Sequence, residues 1–303
     1  MLNTQQIKFL NAHFSNIAYN AMLKNYSHFR IGGPAHAIIF PESFYHLALL
    51  LPWLTSEKIP WLVIGNGSNI LFDDSGFCGI IINLTQCCSI QIRDRKIRAD
   101  AGISLKRLWL HATRHSLGGM NFALGIPGTL GGAVRMNAGA GGGQMADVLE
   151  SIVCIATDGQ QHCIEKNALK IGYRSISWDS HISDAIVVQA NLVLKPEHKH
   201  SIRQDARQRL KYRKSTQPIG CACAGSFFKN PSSELSAGYL IEQAGLKGYR
   251  IGHAAVSSRH ANFIINLGQA TSQEIEDLMH FIQEKVFMQF NVQLQPEVQI
   301  IHV

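Results

Sequence analysis

The reading of this chain turns on Gly125-Ile126-Pro127-Gly128-Thr129-Leu130-Gly131-Gly132-Ala133-Val134, which runs on to Asn137-Ala138-Gly139-Ala140-Gly141-Gly142-Gly143. Glycine at this density costs chain entropy on folding. Something must require a backbone without side chains there. A pyrophosphate seated against loop N–H groups is the simplest candidate. A flexible linker would mix glycine with serine, whereas Ile126, Leu130, Ala133 and Val134 interleave here, so the stretch belongs to a packed domain.

Upstream lies a second glycine pair, Gly65-Asn66-Gly67-Ser68-Asn69, directly after the apolar run Trp61–Ile64. Glycines let a backbone approach a ligand, and successive N–H groups can cradle a phosphate. An ordinary turn at a strand end fits the same residues. It is no dinucleotide fingerprint, because the last glycine of that motif would fall at Ile70.

The surrounding pattern falls into three segments, 1–85, 86–202 and 203–303. The first opens with a polar helix-like stretch. Ala35–Phe40 is a strand candidate, Ser43–Thr55 a helix, and Trp61–Ile64 and Gly79–Asn83 short buried strands. The second has alternating runs at Ile97–Asp100, Ile152–Ala156 and Ala185–Leu194, with Asp158-Gly159 marking a tight turn. Its one clear helix is Ser104–His115, with Ser104 as N-cap and Leu105, Leu108, Trp109 and Ala112 on one stripe. The third begins with a basic helix at 203–214, broken at Pro218–Gly220. Helices are expected near Ala237–Ala244 and Ser272–Phe290, the latter started by a Thr271/Glu274 capping box. Ala261–Asn266 and Val298–Ile301 look like strands, and the polar stretch Pro196–His200 marks the boundary.

The 303 residues are 46% apolar and 16% charged, which fits about two globular domains and excludes a disordered chain. Net charge is +7, and the densest basic run is Arg203, Arg207, Arg209, Lys211, Arg213 and Lys214. Such a run is ordinarily a solvated helix face; the alternative is that Arg213 and Lys214 meet phosphates. No apolar run approaches the ~20 residues that span a bilayer, and the first twenty residues carry no apolar signal core. A cytoplasmic protein is expected. The seven cysteines are odd in number and lack C-x-x-C spacing, so neither a disulfide framework nor a zinc site is expected. His111 and His115 stand four apart, but no Glu follows His111 and no third ligand is evident, so no metal is expected. Ser226 lies in Ala224-Gly225-Ser226-Phe227-Phe228-Lys229-Asn230-Pro231. It is not in a nucleophile elbow, and by itself is an ordinary structural serine, as Arg174 and Glu297 are ordinary charges.

Taken in order, these segments resemble the UDP-N-acetylenolpyruvoylglucosamine reductases over about residues 20–303. Asn25–Ala35 is similar to the family's entry segment, and Gly65–Leu71 and Gly125–Gly139 to its FAD loops. Gly172-Tyr173-Arg174-Ser175 is similar to its central Tyr-Arg motif. Gln217-Pro218 and Ala224–Pro231 are similar to its substrate-domain signature. Gly245–Gly248, Ser257–Asn262 and Pro296-Glu297-Val298 complete the match. Gly141 stands where the family often has an aromatic residue, and Ser27 where threonine is common.

The resemblance implies an α+β fold: a two-part FAD-binding domain of the vanillyl-alcohol-oxidase (PCMH) type at 1–85 and 86–202, then a smaller α/β substrate domain at 203–303. No insertion is evident between 174 and 203, which resembles the compact subtype without a tyrosine-bearing capping loop. It implies FAD and NADPH as cofactors, with FAD held by Gly65, Asn66, Gly67, Ser68, Asn69, Gly125, Ile126, Pro127, Gly128, Thr129, Gly132, Asn137, Ala138 and Gly139. It implies Arg174, Ser226 and Glu297 as catalytic residues. Tyr173, Arg213, Lys214, Gln217 and Asn230 would bind UDP-N-acetylglucosamine enolpyruvate. No nucleic acid, membrane or obligatory protein partner is expected. Two rivals are a flavin oxidase on the same fold, which would turn over without NADPH, and a basic nucleic-acid-binding protein, which would be colourless. No nucleic-acid-binding motif supports the second.

Overall fold

The expected local signals are realised in the computed structural model, which describes residues 2–302. Ser104 accepts the N–H of Arg107 and starts the helix Leu105–Arg114. Thr271 and Glu274 close a reciprocal capping box on Ser272–Phe290, and Asn291 ends that helix in the left-handed region at φ 55°. Ser43 starts the helix Phe44–Ser56 without a side-chain cap bond. Asp158-Gly159 turns Leu149–Ile155 back on Gln161–Glu165 as an antiparallel pair, with Gly159 at φ 85°.

Several boundaries differ from expectation. The basic helix runs Lys199–Thr216, starting four residues early, so Lys199 and His200 of the polar boundary stretch are helical. The strand expected at Ala261–Asn266 is formed only by Ile264–Asn266, because Ser257–Ala261 is a loop knotted by side chains. A strand at Ile17–Met22 was not expected, since its residues do not alternate.

The chain divides into two units. One takes in the residues up to Tyr19, His36–Asn66 and Gly79–Tyr212; the other takes in Asn20–Ala35, Gly67–Cys78 and the residues from Arg213 on. These units do not follow the linear segments 1–85, 86–202 and 203–303, because two pieces of the first hundred residues pack with the C-terminal part.

The first unit has a five-stranded antiparallel sheet in the order Gln161–Glu165, Leu149–Ile155, Ile186–Val193, Lys96–Asp100, Ile90–Arg93. Period two places Ile152 and Cys154 on one face and Val153 and Ile155 on the other. The first face joins a core with Leu108, Leu130 and Val134; the second joins Leu47, Leu51 and Ile82. A sheet buried on both faces accounts for the near-continuous apolar runs in its central strands. A four-stranded sheet runs Ile17–Met22, Pro34–Ile39, Phe77–Asn83, Trp61–Ile64, with the last two parallel.

The second unit packs the helices Ala237–Gln243 and Ser272–Phe290 on the three-stranded sheet Arg250–Ile251, Ala254–Val256, Ile264–Asn266. Its closing strand Gln299–Ile301 pairs in parallel with Ile70–Phe72. Asn266 ties Phe29 into this unit, its side-chain amide donating to the Phe29 carbonyl at 2.8 Å.

Candidate active site

In the first unit the glycine-rich stretch folds as loop, short helix and hairpin. Gly125 (φ 84°) and Gly128 (φ 143°) use backbone regions that L side chains rarely adopt. The loop is stitched to Ala101–Leu105. Leu130 N–H donates to Ile103 at 2.9 Å, Gly131 N–H to Ala101 at 2.8 Å, and Leu105 N–H to Gly128 at 3.1 Å. Thr129 is buried, and a Cβ on Gly65 would collide with its hydroxyl, so the loop after Trp61–Ile64 reaches this stretch.

Side chains of Leu130, Ala133 and Val134 point into the core, while Gly125, Pro127 and Gly132 are exposed. A Cβ on Gly132 would meet nothing nearer than Thr129 Oγ1 at 4.0 Å, and its backbone is not left-handed. No atom of the chain requires glycine there, although glycine in a helix costs about 1 kcal/mol against alanine. Exposed backbone with open space above it is what a ligand lying on the loop would need, and it would suit the pyrophosphate of a flavin dinucleotide.

Asn137 is 1% exposed and is committed to the protein. Its Oδ1 accepts Ala146 N–H at 3.0 Å, and its Nδ2 donates to Gln144 Oε1 and to the Gly172 carbonyl, each at 3.0 Å. Gly139–Ala140 pairs with Gly143–Gln144, which returns the chain to that asparagine. The Gly172 bond matters because Lys170–Gly172 and Ser175–Ser177 form a hairpin whose two-residue turn is Tyr173-Arg174. Arg174 is left-handed at φ 55°, and its guanidinium lies 4.9 Å over the Tyr173 ring. Arg135 grips the hairpin's second strand, donating to the Ile176 carbonyl at 3.3 Å and stacking 4.8 Å over Trp178. The glycine-rich stretch and the candidate arginine are therefore one bonded assembly.

In the second unit Ser226 stands next to the closing motif. Glu297 N–H donates to the Phe227 carbonyl at 2.8 Å, and Lys229 N–H to Gln295 at 2.8 Å, with Phe228 opposite Pro296. Ser226 and Glu297 thus stand on neighbouring antiparallel segments. The Asn69 side-chain amide donates to the Glu297 carbonyl at 3.0 Å. Gly67 is left-handed at φ 61°, and a Cβ there would collide with the Tyr26 carbonyl, so the first glycine pair is required by the chain itself. Ser68 is half-buried beside them, and Asn66 is exposed.

Of the candidate substrate residues, Arg213 and Lys214 lie in the last turn of the helix Lys199–Thr216, Gln217 follows it and Asn230 lies in the loop before Ala237–Gln243. Arg213 is partly buried, and burial pulls its guanidinium below the ordinary arginine value. Lys214 is exposed and Gln217 half-buried. Their carbonyls accept Arg259 Nη1 at 3.2 and 3.4 Å. Asn230 Oδ1 accepts Ala237 N–H at 3.2 Å, in the first turn of the helix Ala237–Gln243.

Arg209 corrects the reading of the basic run as only a solvated face. It pairs with Asp205 at 2.8 Å and donates to the Gly141 carbonyl at 3.0 Å, while Asp205 accepts from Asn121 at 2.7 Å. Arg135, Arg209, Arg259 and Asn262 are the supporting residues that sequence reasoning passed over. Arg209 stood in the basic run and Asn262 in the Ser257–Asn262 run, but neither composition marked these roles.

Among the described residues no cluster able to hold a metal is present, and no helix is long and apolar enough to cross a membrane.

A family profile for the C-terminal domain of UDP-N-acetylenolpyruvoylglucosamine reductase matches residues 217–301, and one for an FAD binding domain matches residues 35–164. The UDP-N-acetylenolpyruvoylglucosamine reductase of Bacillus pumilus (strain SAFR-032) is 37% identical over 293 residues, 96% of either chain. That of Streptococcus pneumoniae (strain JJA) is 38% identical over 286 residues, 94% of either chain. The crystal structure of the Thermus caldophilus UDP-N-acetylenolpyruvylglucosamine reductase is similar with a TM-score of 0.79 at 35% identity, covering 94% of this chain and 98% of that one.

Proposed function

The chain belongs to the UDP-N-acetylenolpyruvoylglucosamine reductase family, and from that premise we propose how its residues divide the work. The reaction is the NADPH-dependent, FAD-mediated reduction of UDP-N-acetylglucosamine enolpyruvate to UDP-N-acetylmuramate in peptidoglycan precursor synthesis. When bound, FAD would supply the redox chemistry that carries hydride from NADPH to the vinyl carbon of the substrate.

The loops Gly65–Asn69 and Gly125–Gly139 would hold the cofactor, with Gly132 leaving its backbone open to it and Asn137 bracing the loop from within. Most of segments 1–85 and 86–202 supplies the cofactor parts, and most of 203–303 the substrate part. Hydride addition leaves negative charge beside the substrate carboxylate, as an enediolate. Arg174 offers a planar fork to those oxygens and stabilises the charge where it develops. Glu297 works protonated or bridged to a cation there, because two bare carboxylates repel. Ser226 gives its hydroxyl proton to the carbon that bears the carboxylate, and the resulting alkoxide regains a proton from solvent. One hydride and one proton thus add across the carbon–carbon double bond. A serine hydroxyl can act as the acid only against a strongly basic intermediate in a dry site. Arg213, Lys214 and Gln217 meet the diphosphate; Tyr173 and Asn230 meet the sugar or carboxylate. We place the enzyme in the cytoplasm, acting on this small molecule without an obligatory protein partner.

The observation that supports the division is the pairing of Phe228 with Pro296 and of the Glu297 N–H with the Phe227 carbonyl, which puts the backbones of the proposed donor and carboxyl on neighbouring segments. Anaerobic stopped-flow absorbance tests it. NADPH should bleach the flavin band, and UDP-N-acetylglucosamine enolpyruvate should restore it. Ser226→Ala should bleach at the parent rate and recover about 10²–10⁴-fold more slowly. Recovery of Ser226→Ala at the parent rate would remove the serine from the mechanism.

A further inference from the structure

We propose that Asn262 is the positioning residue that aims the Ser226 hydroxyl, an inference resting on the reading of Ser226 as proton donor. The two residues after Ser226 are held almost entirely by Asn262. Phe227 N–H donates to the Asn262 carbonyl at 2.7 Å. Phe228 N–H donates to Asn262 Oδ1 at 2.9 Å, and Asn262 Nδ2 donates to the Phe228 carbonyl at 2.8 Å. The amide side chain thus fills both ladder positions of Phe228, as a neighbouring strand would. Asn262 is 4% exposed and the two phenylalanines 1% each, so these bonds are shielded from water.

Upstream, Gly225 precedes Ser226 at φ 82°, and a Cβ there would meet nothing within 4 Å. The Asn262 bonds fix the chain on the downstream side of the serine. On the far edge, Glu297 N–H holds the Phe227 carbonyl. The Phe227–Phe228 segment is clamped between Asn262 and Glu297, with Ser226 just before it.

Asn262 is itself fixed by the loop that bears it. Its N–H donates to His260 Nδ1 at 3.3 Å, and Ser257 Oγ accepts the N–H groups of Arg259 and His260 at 3.2 and 3.4 Å. A reacting group displaced by about 1 Å can lose about 10²-fold in rate. The Asn262 amide therefore governs proton delivery without touching substrate.

The test uses the FAD-loaded full chain, reduced by NADPH and reoxidised by UDP-N-acetylglucosamine enolpyruvate in H₂O and D₂O. Asn262→Ala should bleach at the parent rate and bind substrate within about twofold, yet recover about 10–100-fold more slowly. Its solvent isotope effect on recovery should rise, because proton delivery becomes limiting. In the Ser226→Ala background the same substitution should cost nothing further. Asn262→Asp, equal in shape but unable to donate to the Phe228 carbonyl, should lie between, and it carries the test if Asn262→Ala does not fold. Recovery at the parent rate in both Asn262 variants, with Ser226→Ala slow, overturns the proposal and leaves the serine's role intact. So does a slowing that multiplies with that of Ser226→Ala. Parent-rate recovery in Ser226→Ala removes the donor role and the proposal together.

Discussion

The side-chain amide of Asn69 donates to the backbone carbonyl of Glu297 at 3.0 Å, bonding a loop of the first quarter of the chain to its closing strand. Gln299 N–H returns a bond to the Asn69 carbonyl at 3.1 Å, and the two segments continue as parallel strands. Glu297 thus stands two residues ahead of the strand Gln299–Ile301, its carbonyl held by the Asn69 amide and its N–H by the Phe227 carbonyl. Asn69→Ala should lower stability by about 0.5–1.5 kcal/mol, the net value of one hydrogen bond. Calorimetry should read a fall in Tm of about 2–5 °C. An unchanged Tm would show that the backbone ladder alone holds the strand.

Asn137→Ala should cost more. It leaves the buried Ala146 N–H without its partner, at about 1–3 kcal/mol, and removes the bond to the carbonyl of the exposed Gly172. It also frees the turn carrying Arg174. Urea denaturation should show the loss, and the variant should bind FAD more weakly when apo-protein is titrated with the cofactor. Parent-like FAD affinity would separate the turn from the cofactor loop.

Gly141 and Arg209 form a pair whose members should not behave additively. Gly141 is left-handed at φ 58°, and a Cβ there would sit 2.6 Å from Arg209 Nη1. Gly141→Ala should destabilise by about 1–2 kcal/mol from the backbone alone. Arg209→Ala removes the crowding and the bond to the Gly141 carbonyl together. The double variant should therefore be more stable than the sum of the single losses, by about 0.5 kcal/mol or more in a denaturation cycle. Strict additivity would mean that Arg209 swings clear.

Acid should destabilise the second unit through two histidines. Burial, and then the nearby Arg30, holds His28 below the ordinary histidine value. Burial, and then Lys247, does the same for His260, against an opposing pull from Glu242. Neutral His260 also accepts the Asn262 N–H on Nδ1, a bond that protonation would remove. A histidine lowered in the folded state binds fewer protons than the unfolded chain. Its stabilising contribution is complete above about pH 6.5 and is lost as pH falls through the folded-state values. The urea midpoint should fall between pH 7.5 and 5.5, and His28→Asn with His260→Asn should flatten that slope.

The thiols should divide sharply. Burial pushes Cys154 up to about 12 and Cys87 up to about 11. Cys78, Cys163 and Cys221 are exposed. A disulfide reagent at pH 8 should label those three quickly in the native protein and spare Cys87 and Cys154 until urea is added. Fast native labelling at Cys154 would mean that its sheet opens readily.

What the sequence by itself determined here is what neighbours along the chain determine. The Ser104 cap, the Thr271/Glu274 box, the Asp158-Gly159 turn and the run Trp61–Ile64 each depend on residues within a few positions, and each formed as read. The ordered motifs likewise identified the family from residue types alone. Tertiary structure decided where Asn20–Ala35 and Gly67–Cys78 pack, that Arg209 holds Gly141 and that Asn137 braces the Arg174 turn. It also gave Asn262 the place of a strand beside Phe228. These are bonds between a side chain and a backbone atom 34 to 68 residues away, and the Asn69–Glu297 bond spans 228. A single amide or guanidinium meeting one distant carbonyl imposes no periodicity on the residues around it, so only the folded chain reveals it.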